Sequence, residues 1–338
     1  METVGIIGAG AWGTALAAVA AQAGRRVVLW ALEADVIEAI NTDHTNPVFL
    51  PDFVLPENVH ATGDVAEAAR CNALLLVAPA QHMRGVTESL ARIVRPGTPV
   101  VICAKGIEQS TLKLMSEVVA ETLPQAVIAV LSGPTFAREV ADGHPTAVTL
   151  ASANEAVGLQ LVESLGQRAF RPYLSTDVVG AQIGGAVKNV LAIACGIVEG
   201  RAFGENTRAA LMTRGLAEIL RLGDALGANR DTLMGLSGLG DLILTCSSAQ
   251  SRNTSLGMAL GRGRTLAQIL GRRRSVAEGV YSASAAVALA ARHGVDMPIC
   301  AAVDAVLNRG AAIDAIVEGL LTRSFKHEIS GAPATVSG

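Results

Sequence analysis

Short apolar runs alternate with helical patterns along the first half of the chain. Apolar residues form runs of strand length, and between them they recur with the 3.6-residue period of a helix. Predicted helices cover residues 14–23 and 155–165, and predicted strands cover residues 4–7, 26–30, 73–77, 99–103, 127–131, 147–151 and 168–174. Strands that alternate with helices predict a mostly parallel sheet covered on both faces.

Strand patterns end at Thr176, and the second half of the chain shows only helical patterns. These cover residues 208–226, 254–260, 265–270, 282–293 and 299–308. We therefore predict an α/β fold in which a Rossmann-like, mostly parallel sheet domain precedes an all-α C-terminal domain. The predicted limits are residues 1–176 for the first domain, 177–330 for the second and 331–338 for a disordered tail.

One predicted helix, from Thr176 to Gly200, is almost wholly apolar but carries Lys188 near its middle. Thr176 is the expected N-cap and Gly200 the expected stop. Gly180 and Gly184 share a face with Lys188, which would give a small molecule room to reach the ammonium. The alternatives are a membrane span, disfavoured by the central charge, and a buried structural lysine. We favour a catalytic or ligand-binding lysine, because lysine is almost never fully buried without a partner.

The first predicted strand leads directly into a glycine-rich turn and then a helix. The turn has the pattern G-x-G-x-x-G, formed by Gly8, Gly10 and Gly13, with Ala11 and Trp12 between the last two. Glycines here permit a tight turn and close approach of the backbone to a pyrophosphate, while the helix start supplies amide donors. A glycine-rich turn without a ligand is the alternative, but the strand–turn–helix context favours dinucleotide binding.

The residues after the second strand bear on the choice between NAD and NADP. In this position an acid typically binds the ribose hydroxyls of NAD, and a basic residue accommodates the 2′-phosphate of NADP. The chain has Leu32 and Glu33 there and no basic residue, and Glu33 is either that acid or an exposed residue at a helix start. The cofactor is therefore NAD or NADP, with NAD favoured.

Polar residues that follow strands or begin helices are further candidates for a site. Lys105 and the segment 132–135 follow predicted strands, and ligands in such sheets bind at the carboxyl ends of strands. The string Ser-Arg-Asn at 251–253 precedes a helix and suits a phosphate. Asp241 could hold Lys188 or bind a substrate hydroxyl. Each candidate has a structural alternative. Lys105 could be a solvated loop lysine, Arg252 an exposed arginine beside a helix cap, and Asp241 an ordinary N-cap aspartate.

Composition narrows the class of protein. The chain has 338 residues, of which 50% are hydrophobic and 17% charged, and a formal net charge of -3. These values suit a compact enzyme and give no reason to expect nucleic acid or an anionic membrane as a partner. The five cysteines are scattered and never spaced as C-x-x-C, which is typical of reduced thiols in a cytosol and indicates no metal site. No signal peptide is visible.

Several strings together resemble the bacterial type of NAD(P)-dependent glycerol-3-phosphate dehydrogenase. They span nearly the whole chain and are GAGAWGTALA at 8–17, AKG at 104–106, SGPTFA at 132–137, QIGGAVKN at 182–189, LSGLGDLILTC at 236–246, QSRN at 250–253 and VAEG at 276–279. The resemblance implies reduction of dihydroxyacetone phosphate to sn-glycerol 3-phosphate for phospholipid synthesis. It also implies a cytoplasmic enzyme that is a homodimer.

The resemblance implies roles for individual residues as well. Lys188 would be the proton donor and acceptor. The other implied substrate contacts are Lys105, Gly133, Thr135, Asp241, Ser251, Arg252 and Asn253. The expected cofactor contacts include the glycine-turn residues Gly8, Gly10, Ala11, Trp12 and Gly13. The others are Leu32, Lys105, Ala137, Arg252, Val276 and Glu278. The chain departs from the family at Leu32, where His or Arg often lies near the adenosine ribose.

Two other functions stay open from the residues. The first is a dehydrogenase of a non-phosphorylated 3-hydroxy acid, which would also use a helix lysine, although the string at 251–253 favours a phosphorylated substrate. The second is a non-catalytic dinucleotide-binding sensor, against which Lys188 and Asp241 argue because a sensor needs no proton donor.

Burial of Lys188 near Lys105 is expected to lower the pKa of Lys188 toward neutrality.

Overall fold

The computed structural model of the protein describes residues 1–271 and 277–324. The strands are β1 (Thr3–Ile7), β2 (Arg26–Trp30), β3 (Thr45–Asn46), β4 (Leu50–Val54), β5 (Val59–Thr62), β6 (Ala73–Leu76), β7 (Pro99–Ile102), β8 (Val127–Ser132), β9 (Thr146–Ala151) and β10 (Phe170–Ser175). The helices among them are α1 (Ala11–Gln22), α2 (Ala34–Asp43), α3 (Val65–Ala69), α4 (Met83–Leu90), α5 (Met115–Thr122), α6 (Ala137–Ala141) and α7 (Glu155–Leu165).

After β10, the described residues form helices only. They are α8 (Val178–Gly200), α9 (Glu205–Ala225), α10 (Arg230–Met234), α11 (Asp241–Ser247), α12 (Arg252–Gly261), α13 (Leu266–Leu270), α14 (Glu278–Arg292), α15 (Pro298–Asn308) and α16 (Ile313–Leu321). A 3₁₀ turn, Ala80–His82, precedes α4, and a π-helical turn, Leu236–Gly240, precedes α11.

Eight strands form one sheet in the order β10-β9-β8-β7-β6-β1-β2-β5. All neighbouring pairs are parallel except β8 and β9, which are antiparallel with Leu131 opposite Leu150. Because β1 lies between β2 and β6, the chain changes its winding direction there, and a crevice forms at the carboxyl end of β1. The predicted fold class, a Rossmann-like sheet followed by helices, is confirmed.

The two faces of the sheet carry separate apolar cores. Along β6, Leu75 belongs to the core shared with α1, whereas Leu74 and Leu76 belong to the core shared with α4 and α5. This alternation follows from the two-residue period of a strand. Burial on both faces explains why the central strands are continuous apolar runs that the sequence pattern identifies.

Between α2 and α3 the structure has strands that the sequence pattern does not predict. β3 and β4 form a hairpin, and β5 extends the main sheet beside β2. Pro47, Pro51 and Pro56 interrupt the periodicity here, so these short strands carry no clear pattern. The buried Asn46 ties the hairpin to the glycine turn, because its Nδ2 donates to the Ala9 carbonyl at 2.9 Å.

Helix α8 lies at the centre of the second half. All residues from Gly180 to Val198 are buried, so this helix, although long and apolar enough to cross a membrane, lies inside the protein. Its N-cap is Asp177, whose carboxylate accepts the Gly180 amide at 2.8 Å, and the prediction that Thr176 caps the helix is wrong. The carboxylate is the stronger acceptor for a helix-start amide. The helix ends at Gly200, as predicted.

Helices α8 and α12 pack with their backbones in contact. A Cβ on Gly196 would lie 2.1 Å from the Thr254 carbonyl oxygen, and one on Gly257 would lie 2.1 Å from the Ile193 carbonyl oxygen. Glycine is therefore required on both helices for this approach. We call the contact the glycine seam, and its members are Gly196, Gly200, Gly257 and Gly261.

Candidate active site

A buried charged cluster lies where α8, α11 and the loop after β7 meet. Lys188 Nζ donates to Oδ1 of Asp241 at 2.5 Å and to Oγ1 of Thr245 at 2.8 Å. Lys105 Nζ donates to the other carboxylate oxygen of Asp241 at 2.7 Å and to the Gly133 carbonyl at 3.0 Å. One carboxylate thus joins a lysine from the sheet half of the chain to a lysine from the helical half.

This cluster holds the Lys188 ammonium and the Asp241 carboxylate away from water, whereas Lys105 is partly exposed. The exposed fraction is 6% for Lys188 and 0% for Asp241. Burial lowers the pKa of Lys188 to about 8; the Asp241 carboxylate opposes this shift, and the Lys105 ammonium adds to it. The lowering agrees with the expectation from sequence. A lysine with such a pKa can both donate and accept a proton near neutral pH.

The glycine face of α8 receives protein backbone. A Cβ on Gly184 would lie 2.4 Å from the Ser237 carbonyl oxygen, so the π-helical turn Leu236–Gly240 packs directly against this face. The prediction that the face leaves room for a small molecule is therefore wrong. Its glycines instead allow the turn to approach closely enough to bring Asp241 to Lys188.

The start of α12 lies beside α8. Ser251 caps α12 through its hydroxyl, which accepts a first-turn amide at 3.2 Å. The buried Asn253 donates from Nδ2 to Asn189 Oδ1 at 2.9 Å and accepts the Gly279 amide at 3.1 Å. Arg252 is exposed on the first turn of α12. The start of α12 is therefore held at a defined position relative to α8.

The glycine turn after β1 fits the pyrophosphate of a dinucleotide. Gly8 has φ +115°, which a side chain would strain, and a Cβ on Gly13 would lie 1.8 Å from the Gly8 carbonyl oxygen. Gly10 is the N-cap of α1 and has no side chain to occupy the first-turn amides, which belong to Ala11, Trp12 and their neighbours. Those amides are donors for an anion.

The other expected cofactor residues lie around the same crevice or begin nearby helices. Ala137 is the first residue of α6, which packs against α1. Glu278 is the first residue of α14; burial raises the pKa of its carboxyl, and the positive charge of Arg252 is the largest effect that opposes the rise. Val276 lies outside the described residues.

The residues that follow β2 are exposed and acidic. Leu32 is 78% exposed, and the exposed Glu33 and Asp35 begin α2. Asp64 is also exposed and follows β5, the strand next to β2. The end of the crevice where an adenosine ribose would lie therefore carries carboxylates.

The structure brings several of the expected residues together and adds one that the sequence analysis missed. Lys105 reaches Asp241 and is not a solvated loop lysine. Thr245 was missed, although it lies one turn after Asp241 on the same face of α11, a spacing that could have indicated it. A narrow crevice adjoins the cluster and is lined by Trp12, Lys105, Leu131, Ser132, Gly133, Thr135 and Val148.

Comparison with known proteins gives matches along nearly the whole chain. The family model described as NAD-dependent glycerol-3-phosphate dehydrogenase N-terminus matches residues 3–158, and the model for the C-terminus of the same enzyme matches residues 177–318. A glycerol-3-phosphate dehydrogenase (NAD(P)+) from Parvibaculum lavamentivorans is 60% identical over 96% of this chain and 98% of its own.

Two further relatives agree with this assignment. A glycerol-3-phosphate dehydrogenase (NAD(P)+) from Rhodospirillum rubrum is 62% identical over 97% of this chain and 94% of its own. The crystal structure of glycerol-3-phosphate dehydrogenase from Coxiella burnetii has a TM-score of 0.91 and 39% identity, and the match covers 95% of this chain and 99% of that one. The chain therefore belongs to the family of NAD-dependent glycerol-3-phosphate dehydrogenases.

Proposed function

We propose that the protein reduces dihydroxyacetone phosphate reversibly to sn-glycerol 3-phosphate with NADH or NADPH. The observation that carries the proposal is the buried Lys188 ammonium, held 2.5 Å from Asp241 with a pKa of about 8. Relatives more than half identical in sequence are named for glycerol 3-phosphate and for both cofactors, which supports the same substrate and cofactors here.

The proposed proton transfer follows from the hydrogen bonds of Lys188. An ammonium has three N–H donors, and within the described residues two of them go to Asp241 and Thr245, which leaves one for a substrate oxygen. The bound cofactor supplies hydride to the substrate's carbonyl carbon. Lys188 stabilises the negative charge that develops on the carbonyl oxygen and donates its proton to it; in the reverse direction it accepts the hydroxyl proton.

The remaining residues orient the substrate. Asp241 fixes the direction of the Lys188 side chain and also holds Lys105 beside the crevice. Arg252 and the amides at the start of α12 bind the phosphate, which keeps the carbonyl against the proton donor. The phosphate is remote from the reacting carbonyl, and its binding energy is used in this way to orient that carbonyl. The other proposed substrate contacts are Gly133, Thr135, Ser251 and Asn253.

A non-phosphorylated 3-hydroxy acid is the alternative substrate, and one assay tests whether the enzyme requires a phosphate on its substrate. Oxidation of NADH and of NADPH is followed by absorbance with dihydroxyacetone phosphate and, in parallel, with unphosphorylated dihydroxyacetone. We expect turnover with the phosphate ester and a kcat/KM lower by at least about a hundredfold without the phosphate, since the charged clamp is then unused. Equal turnover of both substrates, or of neither, would contradict the proposed function.

We also infer that NADH is used at least as well as NADPH. Leu32 stands where a cation would neutralise a 2′-phosphate, and Glu33, Asp35 and Asp64 place carboxylates around the same end of the crevice. These carboxylates repel a phosphate and suit ribose hydroxyls. The assay above measures kcat/KM for both cofactors, and a much higher value for NADPH would contradict the inference.

For the cell we propose a cytoplasmic homodimer that supplies glycerol 3-phosphate for phospholipid synthesis. Residues 1–176 would hold the cofactor and residues 177–330 the catalytic lysine. The five cysteines are free thiols, which supports a reducing compartment. Among the residues that the structure describes, no side chain of the apolar helix α16 is fully buried, as expected of a helix that a second copy covers. Sedimentation equilibrium would reveal a monomer if the dimer is wrong.

A further inference from the structure

Two residues that line the crevice each carry a buried polar atom with no hydrogen-bond partner among the described residues. These atoms are the indole Nε1 of Trp12 and the hydroxyl Oγ of Ser132. Ser132 is 3% exposed and is the last residue of β8. An unpaired buried donor or acceptor is unfavourable, and native proteins leave few of them. Two such atoms beside one narrow crevice indicate a ligand that pairs with both.

Their place in the fold indicates which part of a ligand they would meet. Trp12 follows the glycine turn at the end of β1, and Ser132 stands at the end of β8, two strands beyond β6. The acidic residues that suit the adenosine ribose lie on the other side of β1, beyond β2. A dinucleotide whose pyrophosphate lies on the glycine turn therefore extends its nicotinamide half toward Ser132.

The helical half of the chain leaves room for the Ser132 hydroxyl. A Cβ on Gly185 would lie 3.2 Å from Ser132 Oγ and 3.2 Å from Lys105 Cγ. Gly185 is one turn before Lys188 on α8, so the hydroxyl is next to the reaction centre. Trp12 and Ser132 are themselves uncharged, and the neighbouring Lys105 already has Asp241 as an ionic partner, so their two unpaired atoms suit an uncharged polar group.

We propose that Trp12 and Ser132 bind the carboxamide of the nicotinamide ring. The indole N–H donates to the carboxamide oxygen, and the Ser132 oxygen accepts from the carboxamide NH₂ group. A carboxamide offers both an acceptor and a donor, which matches the indole donor and the hydroxyl acceptor. Fixing it sets which face of the ring lies toward Lys188. The proposal rests on the proposed dehydrogenase function and assigns Ser132 as a positioning residue for hydride transfer.

The test compares NADH with its reduced 3-acetylpyridine analogue, in which a methyl group replaces the NH₂ but the carbonyl stays. The dissociation constants of both cofactors are measured by calorimetry for the wild type, Ser132→Ala and Trp12→Phe. We expect Ser132→Ala to weaken NADH binding about tenfold and analogue binding by less than about twofold. Trp12→Phe keeps an aromatic side chain but loses the indole N–H. Because both cofactors carry the carbonyl oxygen that would accept from this N–H, both should bind more weakly by a similar factor.

A matched control is Ser152→Ala, since this buried hydroxyl donates to the Ile128 carbonyl at 3.0 Å and does not line the crevice. It should leave both dissociation constants unchanged. Ser132→Cys, similar in size but a poor hydrogen-bond partner, replaces the alanine variant if that fails to fold. An equal effect of Ser132→Ala on both cofactors, or no effect, would overturn the carboxamide contact. Failure of the proposed function would appear separately, as wild-type enzyme that binds NADH but does not turn over dihydroxyacetone phosphate.

Discussion

Lys188 Nζ lies 2.5 Å from Oδ1 of Asp241, and both side chains are buried. Since Lys105 shares the same carboxylate, the cluster holds two ammonium groups for one carboxylate and carries an excess positive charge. Under the proposed function, this excess positive charge would stabilise an alkoxide in the transition state and would favour release of the Lys188 proton although the ammonium has an ionic partner.

The pH dependence of the reaction should follow the pKa of Lys188. Reduction of dihydroxyacetone phosphate needs the protonated lysine and should fall as pH rises through about 8, whereas the oxidation direction needs the neutral lysine and should rise there. Asp241→Asn removes the charge that raises this pKa, so both transitions should move to lower pH. Profiles of kcat against pH in both directions check this, and an unshifted profile in the variant would refute it.

Replacing Lys188 by methionine should remove turnover without unfolding the protein. General acid–base catalysis is worth about a hundredfold to ten-thousandfold, and kcat should fall by that factor. Asp241 keeps Lys105 as its partner, so the melting temperature should hold or rise. NADH should bind as in the wild type, because the glycine turn is untouched. Near-normal turnover would exclude Lys188 as proton donor, and a large drop in melting temperature would indicate a structural lysine.

Arg252→Ala should weaken catalysis with the phosphorylated substrate specifically. Loss of one partner of a charged contact costs more than about thirtyfold in kcat/KM with dihydroxyacetone phosphate. The already poor activity on dihydroxyacetone should change much less. Equal losses on both substrates would show that Arg252 supports the fold or the cofactor. Arg262→Ala, which alters an exposed arginine at the other end of α12, is the matched control and should change neither value.

Leu32→Arg should shift cofactor preference toward NADPH. A guanidinium at this exposed position can bind the 2′-phosphate, and a hydrogen bond to a charged group is worth about tenfold or more in relative kcat/KM. Steady-state kinetics with both cofactors measure the ratio. Leu32→Gln, of similar length without charge, should shift it much less, and the same shift in both variants would contradict an electrostatic origin.

Glu218 should make the stability of the protein fall as pH rises. Its buried carboxylate accepts the Ile299 amide at 2.7 Å and the Cys300 amide at 3.1 Å, and burial raises its pKa above the ordinary value. Between the unfolded and folded pKa values the folded state binds more protons, so the free energy of unfolding decreases with pH. Glu218→Gln should flatten this slope. Denaturant titrations from pH 5 to pH 8 check it, and parallel slopes for both proteins would contradict it.

The central strands and the buried Lys188 were largely predictable from the sequence. Strands buried on both faces of the sheet, such as those at 73–77 and 99–103, are recognised in the sequence as continuous apolar runs. Lys188 is recognised because it is a charged residue in the middle of an apolar helix. The hairpin β3–β4 was not predictable from the sequence, because prolines interrupt the two-residue period of its strands. It is held in place by a long-range hydrogen bond from Asn46. Local patterns carry no signal for such a contact.

The glycine-rich turn before Asp241 shows a second limit. Its glycines and those of α8 suggest open space when each segment is considered alone, but the two segments fill each other's space. Only the three-dimensional structure shows that Gly184 admits backbone there. The pairing of Lys105 with Asp241 depends on the same packing, and for that reason the sequence left the role of Lys105 undecided.

The glycine seam fixes the distance between α8, which carries Lys188, and α12, which carries Arg252, by direct contact of the two helix backbones. No side chain at these glycines can repack to widen the gap. If Arg252 binds the phosphate and Lys188 meets the carbonyl, as proposed, the span from phosphate to reacting carbon would have to match one fixed length. A phosphorylated ketone with one more carbon between these groups would place its carbonyl beyond the lysine. Changing substrate length would therefore require moving the start of α12 as a unit, which no single side-chain replacement at the phosphate contacts achieves.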